Sequence, residues 1–355
     1  MRVLVMQQKM IGDVLTSGLL AENLRRLLPA SEVHFLAHTH THAVLEGNPH
    51  LSAVHGYPAA AGWPERLRVA RRLRGIGFDA LIDAYGKAES LLLTMQVRAR
   101  RSIGYRKWYT RPVYSDPVPR SARSVWGLPL AIEHRLRLLE PLTGPLAPGQ
   151  LAVQPRLYVS AAEHTRAREF LLGHGLDPGR PVLMVGALGS SPEKSYPLPA
   201  MARLLDRIAT HCDAQLLFNC LPAQRPQALQ LHALCAADTR HRIVLDAWPN
   251  GLRDFIAVLA QCRALFGNEG GAANMARALD VPSFSIFSPQ VPQAVWGSED
   301  ARHPSVHLAQ FLPQHFEARD GRDPAAAGPA LYPLFEPAMI EPTLDRFVAT
   351  HLGSP

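Results

Sequence analysis

Three short stretches of this chain hold residue types on which chemistry can be built. The first is the glycine loop 267–271 (GNEGG), set between an apolar run that ends at Phe266 and the small-residue run 272–279. A helix opening on such a loop aims free N–H groups and the positive end of its dipole at an anion, so Gly270 and Gly271 mark a candidate phosphate site. Glu269 beside them offers a carboxylate to ribose or sugar hydroxyls. The plainer reading is that the two glycines only let helix and strand pack closely. The second stretch is 187–196 (ALGSSPEKSY), just ahead of a helical pattern at 198–211. Small hydroxyls at Ser190 and Ser191 and the point charge of Lys194 suit a diphosphate, with a solvated lysine loop as the alternative. The third is Asp13, at or next to the N-cap of a helix predicted over 13–28, where Asp is favoured without any catalytic role. Asn219 ends a predicted strand at 215–219, where a base or ribose contact is one reading and a plain strand-end turn residue is at least as good a one.

His38, His40 and His42 alternate after a predicted strand at 33–36. On a strand they would share a face and begin a metal site. No carboxylate stands nearby to orient them, and the segment looks more like a loop entering a helix.

These residues need a scaffold, and the chain is long enough for two domains. It has 355 residues, 47% hydrophobic and 19% charged, an ordinary globular composition. No apolar run reaches the roughly 18 residues of a membrane span. The first strand's apolar run breaks at Gln7, Gln8 and Lys9, which argues against a signal peptide. The four cysteines lack metal-type spacing and read as reduced thiols, giving a cytoplasmic expectation. Charge is uneven: residues 61–126 hold fourteen Lys/Arg against five Asp/Glu, an excess beyond the +7 of the whole chain. A basic first half suggests an anionic partner, with solvated charge as the alternative. Nucleic acid is disfavoured because no aromatic-basic binding module appears.

Hydrophobic periodicity predicts a first α/β series: strands at 2–6, 33–36, 54–57, 78–84 and 102–105, with helices at 13–28, 64–74, 87–95 and 129–140. Glu133 and Arg137 fall at i,i+4 on the last helix. Residues 106–124 read as a long irregular loop rich in aromatic and basic side chains. A Pro/Gly-rich connection at 143–155 separates a second series, which opens with a helix at 161–174 and a strand at 181–186. Strand 264–266, the glycine loop, helix 272–279 and strand 282–287 form a βαβ unit with its loop at the carboxyl edge of a parallel sheet. Residues 290–297 read as loop, 320–328 as flexible, and 339–351 as a final helix.

The segment 267–289 resembles the C-terminal signature of glycosyltransferase family 9, the heptosyltransferases that act on lipopolysaccharide. Gly271, Ala276, Ala278, Leu279 and Pro282 match it. Glu269, Gly270, Ala272, Asn274 and Asp280 stand where that signature has Asp, Thr, Pro, His and Gly. Ile11, Gly12, Asp13, Val14 and Leu15 match the family's N-terminal Ile-Gly-Asp-Val/Ile-Leu motif, and Lys194 to Pro197 resembles its Lys-x-Trp-Pro.

The resemblance implies a GT-B fold: α/β, with two Rossmann-like domains facing across a cleft. The division would be 1–155 for the acceptor, 156–335 for the nucleotide sugar, and 336–355 as a helix crossing back to the first domain. It implies inverting transfer of a heptose or related sugar from a nucleotide-diphosphate donor, ADP-heptose by analogy, to a lipopolysaccharide core. Asp13 becomes the general base. Ser190, Ser191, Lys194, Asn219, Glu269, Gly270, Gly271 and Asn274 form the donor set. Gly12, Arg106, Lys107 and Arg111 face the lipid-linked saccharide acceptor. The anionic inner face of the membrane is the implied peripheral partner. The chain has no Asp-x-Asp motif, so no metal and no cofactor are expected, with cationic side chains and a helix dipole on the diphosphate. Two alternatives stay open: a GT-B nucleotide-sugar epimerase, and an inactive family member that binds nucleotide or glycolipid.

Overall fold

The computed structural model describes residues 1–293, 300–316 and 328–353. The chain divides into two compact units, Met1–Tyr158 and Val159–Pro355, just past the expected division. Residues 294–297 of the expected loop at 290–297, and 320–327 of the expected flexible stretch at 320–328, lie outside the described residues.

The first unit carries a six-stranded parallel sheet. In chain order its strands are β1 (Arg2–Met6), β2 (Glu32–His38), β3 (Ala53–Tyr57), β4 (Ala80–Asp83), β5 (Arg101–Tyr105) and β6 (Asp116–Val118). The spatial order is 3-2-1-4-5-6, with every neighbour parallel. Val3, Leu4, Val5 and Met6 are fully buried, as a central parallel strand covered on both faces requires. Helices α1 (Ile11–Leu27), α2 (Trp63–Ile76), α3 (Ala88–Val97), α4 (Leu130–Arg137) and α5 (Glu140–Thr143) complete the unit. In such a sheet the crevice opens where strand order reverses, at the carboxyl ends of β1 and β4.

The second unit repeats the plan. Its strands are β7 (Val182–Gly186), β8 (Gln215–Phe218), β9 (Ile243–Val244), β10 (Ala264–Asn268), β11 (Ser283–Ile286) and β12 (Ser305–Val306). The order 12-11-10-7-8-9 puts the reversal between β7 and β10. Its helices are α6 (Ala161–Gly173), α7 (Leu198–His211), α8 (Arg225–Leu234), α9 (Ala237–Arg242), α10 (Leu252–Leu259) and α11 (Gly271–Ala278), with a final helix at Pro337–His351.

Several expectations are corrected. Helix α1 starts at Ile11, with Met10 as its N-cap at φ 59° and no side-chain cap. Asp13 is therefore a first-turn residue and caps nothing. The Arg137 charge helps hold the Glu133 carboxyl down, but the two side chains make no direct ion pair among the described residues. Glu133 is fully buried and accepts from the Ser124 hydroxyl at 2.5 Å and the Trp126 N–H at 3.0 Å, because that turn's donors need an acceptor. Arg137 lies 3.6 Å from Glu140 instead. The supposedly irregular 106–124 contains β6, an edge strand whose Pro117 masks it in the sequence. The final helix packs on α7. Ile340, Leu344, Phe347 and Val348 share a core with Leu204, Leu205 and Ile208, and Arg207 grips Asp345 through two bonds of 2.7 and 2.6 Å.

Candidate active site

In the first unit the chemistry gathers at the carboxyl ends of β1 and β4. Asp13 sits in the first turn of α1, about 29% exposed at its side chain. Its Oδ1 accepts from Arg135 Nη2 of α4. Gly12 lies one residue earlier in that turn, its carbonyl taking the Thr16 hydroxyl at 2.7 Å. At the end of β4, buried Asp83 accepts from the Tyr85 and Gly86 N–H groups at 3.0 and 2.9 Å and from the Tyr114 hydroxyl at 2.8 Å. Burial pushes the Asp83 carboxyl up, and those donors oppose it. The loop so fixed offers the Gly86 carbonyl, to which Lys107 Nζ donates at 3.0 Å. Lys107 is thereby held at the β4 end, while Arg106 and Arg111 are exposed on either side of it. Arg120, not foreseen from sequence, lies 5.0 Å from the centre of the Tyr105 ring.

The three histidines do not form one face. His38 ends β2, while His40 and His42 lie in a 3₁₀ turn at Thr39–Val44. His42 Nε2 lies 3.2 Å from the Ala37 carbonyl. Buried His38 lies 3.5 Å from Glu89, which also takes the Tyr57 hydroxyl at 2.9 Å. No group of three or more His, Cys, Asp or Glu among the described residues is arranged to hold a metal ion.

In the second unit the donor candidates collect at the ends of β7 and β10, on either side of the strand-order reversal. The residue that joins them is Asn268, which sequence reasoning left inside a loop. It is the last residue of β10 and is 6% exposed. Its Oδ1 accepts from the Tyr196 N–H at 2.7 Å, and its Nδ2 donates to the Ala187 and Gly186 carbonyls at 2.7 and 3.2 Å. One side chain thus pins both ends of the 187–196 loop. A second tie comes from Ser288 Oγ and Gln290 Nε2, which donate to the Glu193 carbonyl at 3.2 and 3.1 Å. Within the loop, Lys194 ends a 3₁₀ turn at Pro192–Lys194 and Ser190 is exposed. The Ser191 hydroxyl near the Glu193 carboxylate helps hold that carboxyl below its usual range.

Two glycines have distinct reasons. A Cβ on Gly267 would lie 2.2 Å from the Gly186 carbonyl oxygen, so β10 can approach β7 only without a side chain. Gly270 caps α11 at φ 153°, a conformation that L side chains rarely adopt. Helix α11 starts at Gly271, where first-turn N–H groups have no intrahelical partner. Asn274 stands one turn further on, half-buried. Burial pushes the Glu269 carboxyl up, against the pull of the Lys194 and Arg277 charges. Asn219 follows β8 and is also half-buried, its N–H bonded to the Val185 carbonyl at 2.9 Å.

Two doubly wound parallel sheets, each with its polar residues at the point of strand reversal, are the halves of a GT-B glycosyltransferase. The family model "Glycosyltransferase family 9 (heptosyltransferase)" matches residues 66–306, and the chain belongs to that family. It is 27% identical to lipopolysaccharide heptosyltransferase 1 of Pseudomonas aeruginosa, over 82% of this chain and 80% of that one. Two solved structures share the fold at 16% identity. A glycosyltransferase family 9 protein of Veillonella parvula has a TM-score of 0.78, covering 98% of this chain and 97% of that one. E. coli ADP-heptose lipopolysaccharide heptosyltransferase II has a TM-score of 0.75, covering 99% of each chain.

Proposed function

We propose that this glycosyltransferase moves a heptose, or a closely related sugar, from ADP-heptose to a lipopolysaccharide core acceptor with inversion. The observation that carries the donor half is the Asn268 tie. It sets Lys194 and the α11 start on one loop assembly at the reversal of the second sheet, where a diphosphate meets a cation and free N–H groups. Adenine and heptose are taken from the names of the relatives, which fit this arrangement.

In the reaction the acceptor hydroxyl gives its proton to Asp13 while its oxygen bonds the anomeric carbon. The bond from that carbon to the diphosphate oxygen breaks, and its electron pair leaves on the diphosphate. Lys194, Ser190 and the first-turn N–H groups of α11 stabilise that charge. Glu269, its carboxyl pushed up by burial, hydrogen-bonds sugar or ribose hydroxyls.

The direct test is a thermal-shift panel of ADP-, GDP-, UDP- and CMP-sugars followed by transfer assays in excess EDTA. A ligand that binds only the folded protein raises its melting temperature. ADP-heptose is expected to give the largest shift, and transfer is expected to persist under chelation. Loss of activity restored by Mn²⁺ would overturn the metal-free mechanism. Product from donor alone, or binding without turnover on any acceptor, would overturn the transferase reading.

We also propose that the first unit meets an anionic membrane surface. Arg68, Arg71, Arg72, Arg74, Arg98, Arg100, Arg106, Arg111, Arg120 and Arg123 are all exposed. Trp108, between Lys107 and Tyr109, is 87% exposed, and an indole of that kind favours a membrane interface. Each basic residue near such a surface contributes roughly 1 kcal/mol. Co-sedimentation with vesicles containing anionic lipid is expected to fade as salt rises and to weaken in Trp108→Ala. Equal binding to neutral vesicles would refute the electrostatic account.

A further inference from the structure

Arg135 does more at Asp13 than balance a charge. Its side chain is only about 8% exposed, and it is fixed from three directions. Nε donates to Ser17 Oγ at 2.9 Å, Nη1 to the Ala131 carbonyl at 2.6 Å, and Nη2 to Asp13 Oδ1. Asp13 and Ser17 are one turn apart on α1 and so share a face. The planar guanidinium spans both, and it cannot rotate without losing one of them. Asp13 is thereby gripped by one oxygen, and Oδ2 has no hydrogen-bond partner among the described residues.

We propose that Arg135, braced by Ser17, is the positioning residue for the base, holding Asp13 through Oδ1 so that Oδ2 is the oxygen that takes the acceptor proton. This rests on Asp13 being the base. The proton moves from the acceptor oxygen to Oδ2 as that oxygen attacks the anomeric carbon and the diphosphate departs. A carboxyl turning freely about its Cβ–Cγ bond would present either oxygen at varying angles, and misplacement on the ångström scale costs about 100-fold in rate.

The test compares Arg135→Lys, Arg135→Met and Ser17→Ala with the parent in kcat, acceptor KM, ADP affinity and melting temperature. Lysine keeps the charge but lacks the fork that spans Ser17 and Asp13. Arg135→Lys is expected to stay folded, to bind ADP as the parent does, and to lose about 10- to 100-fold in kcat. Ser17→Ala is expected to lose several-fold in kcat without a matching rise in KM. In an Asp13→Asn background, Arg135→Lys should cost nothing further, because residues acting through one another are non-additive.

A kcat for Arg135→Lys within about threefold of the parent overturns the inference, as does an undiminished loss in the Asp13→Asn background. If Arg135→Met fails to fold, the lysine and Ser17 variants decide. Near-parent activity of Asp13→Asn itself brings down the base reading. Near-parent activity of the Arg135 variants beside an inactive Asp13→Asn brings down only the positioning role.

Discussion

Asp13→Asn is expected to abolish transfer, lowering kcat by about 10²- to 10⁴-fold, the range for loss of a positioned general base. Asparagine has the same size, and its Oδ1 can still accept from Arg135 Nη2. What it loses is the ability to take a proton. The helix start is not at stake, because Met10 is the N-cap and no side chain caps α1. A stability cost does follow from the part-buried ion pair, since Arg135, at about 8% exposure, would face a neutral partner. Ser17 and the Ala131 carbonyl still satisfy two of its donors, which keeps that cost to about 1–3 kcal/mol. The variant should therefore be folded but less stable, and it must be assayed well below its melting temperature. ADP affinity should be unchanged, because Lys194, Glu269 and α11 belong to the second unit. Activity within a few-fold of the parent at saturating substrates would mean that the base lies elsewhere.

The parts of this fold that were legible in sequence share one property: their signal is local. Strand β1 and helix α7 are found at their predicted bounds, because a fully apolar run and a leucine-spaced run each carry their own period. The short edge strands β6 and β12 were missed, being three and two residues long. Their pairing is decided by a neighbouring strand, and Arg101 holding Asp116 by two bonds is the kind of contact that no window reveals.

The candidate site divides in the same way. Asp13, Lys194 and the glycine loop sit in segments with a local pattern. Arg135 and Asn268 do not. Arg135 is 122 positions from Asp13, in a helix whose visible charge pattern suggested a different pair. Its one available signal was an arginine next to Leu136 on a helix that had to bury a face. Asn268 is even less marked, since an Asn that follows a glycine suits a turn. Only parallel register, which sets Gly267 beside Gly186, brings it to the 187–196 loop.

Asn268→Asp should destabilise the second unit more than Asn268→Ala, and the difference should grow with pH. Alanine removes three hydrogen bonds and leaves the Tyr196 N–H and two carbonyls to find other partners, a cost of about 2–4 kcal/mol. Aspartate keeps the acceptor for Tyr196. It also sets a second oxygen where Nδ2 donated to the Ala187 and Gly186 carbonyls, 2.7 and 3.2 Å away. Only the protonated acid can donate there, so the folded state raises this carboxyl's pKa above the roughly 3.9 of an unfolded aspartate. A group with a raised folded pKa contributes its stability below the unfolded value and loses it as pH rises through the folded value. The variant should accordingly approach the parent near pH 4 and fall away from it toward neutrality, by up to about 1.4 kcal/mol per pH unit in that window. Melting temperatures of the three proteins between pH 4 and 8 would show this, with ADP-dependent shifts reporting the donor loop. A parent-to-aspartate gap that stays constant across that range would mean that the carbonyls do not face this side chain. The 187–196 loop would then be held by its other ties, from Ser288 and Gln290 to the Glu193 carbonyl and from Gln224 to the Gly189 carbonyl.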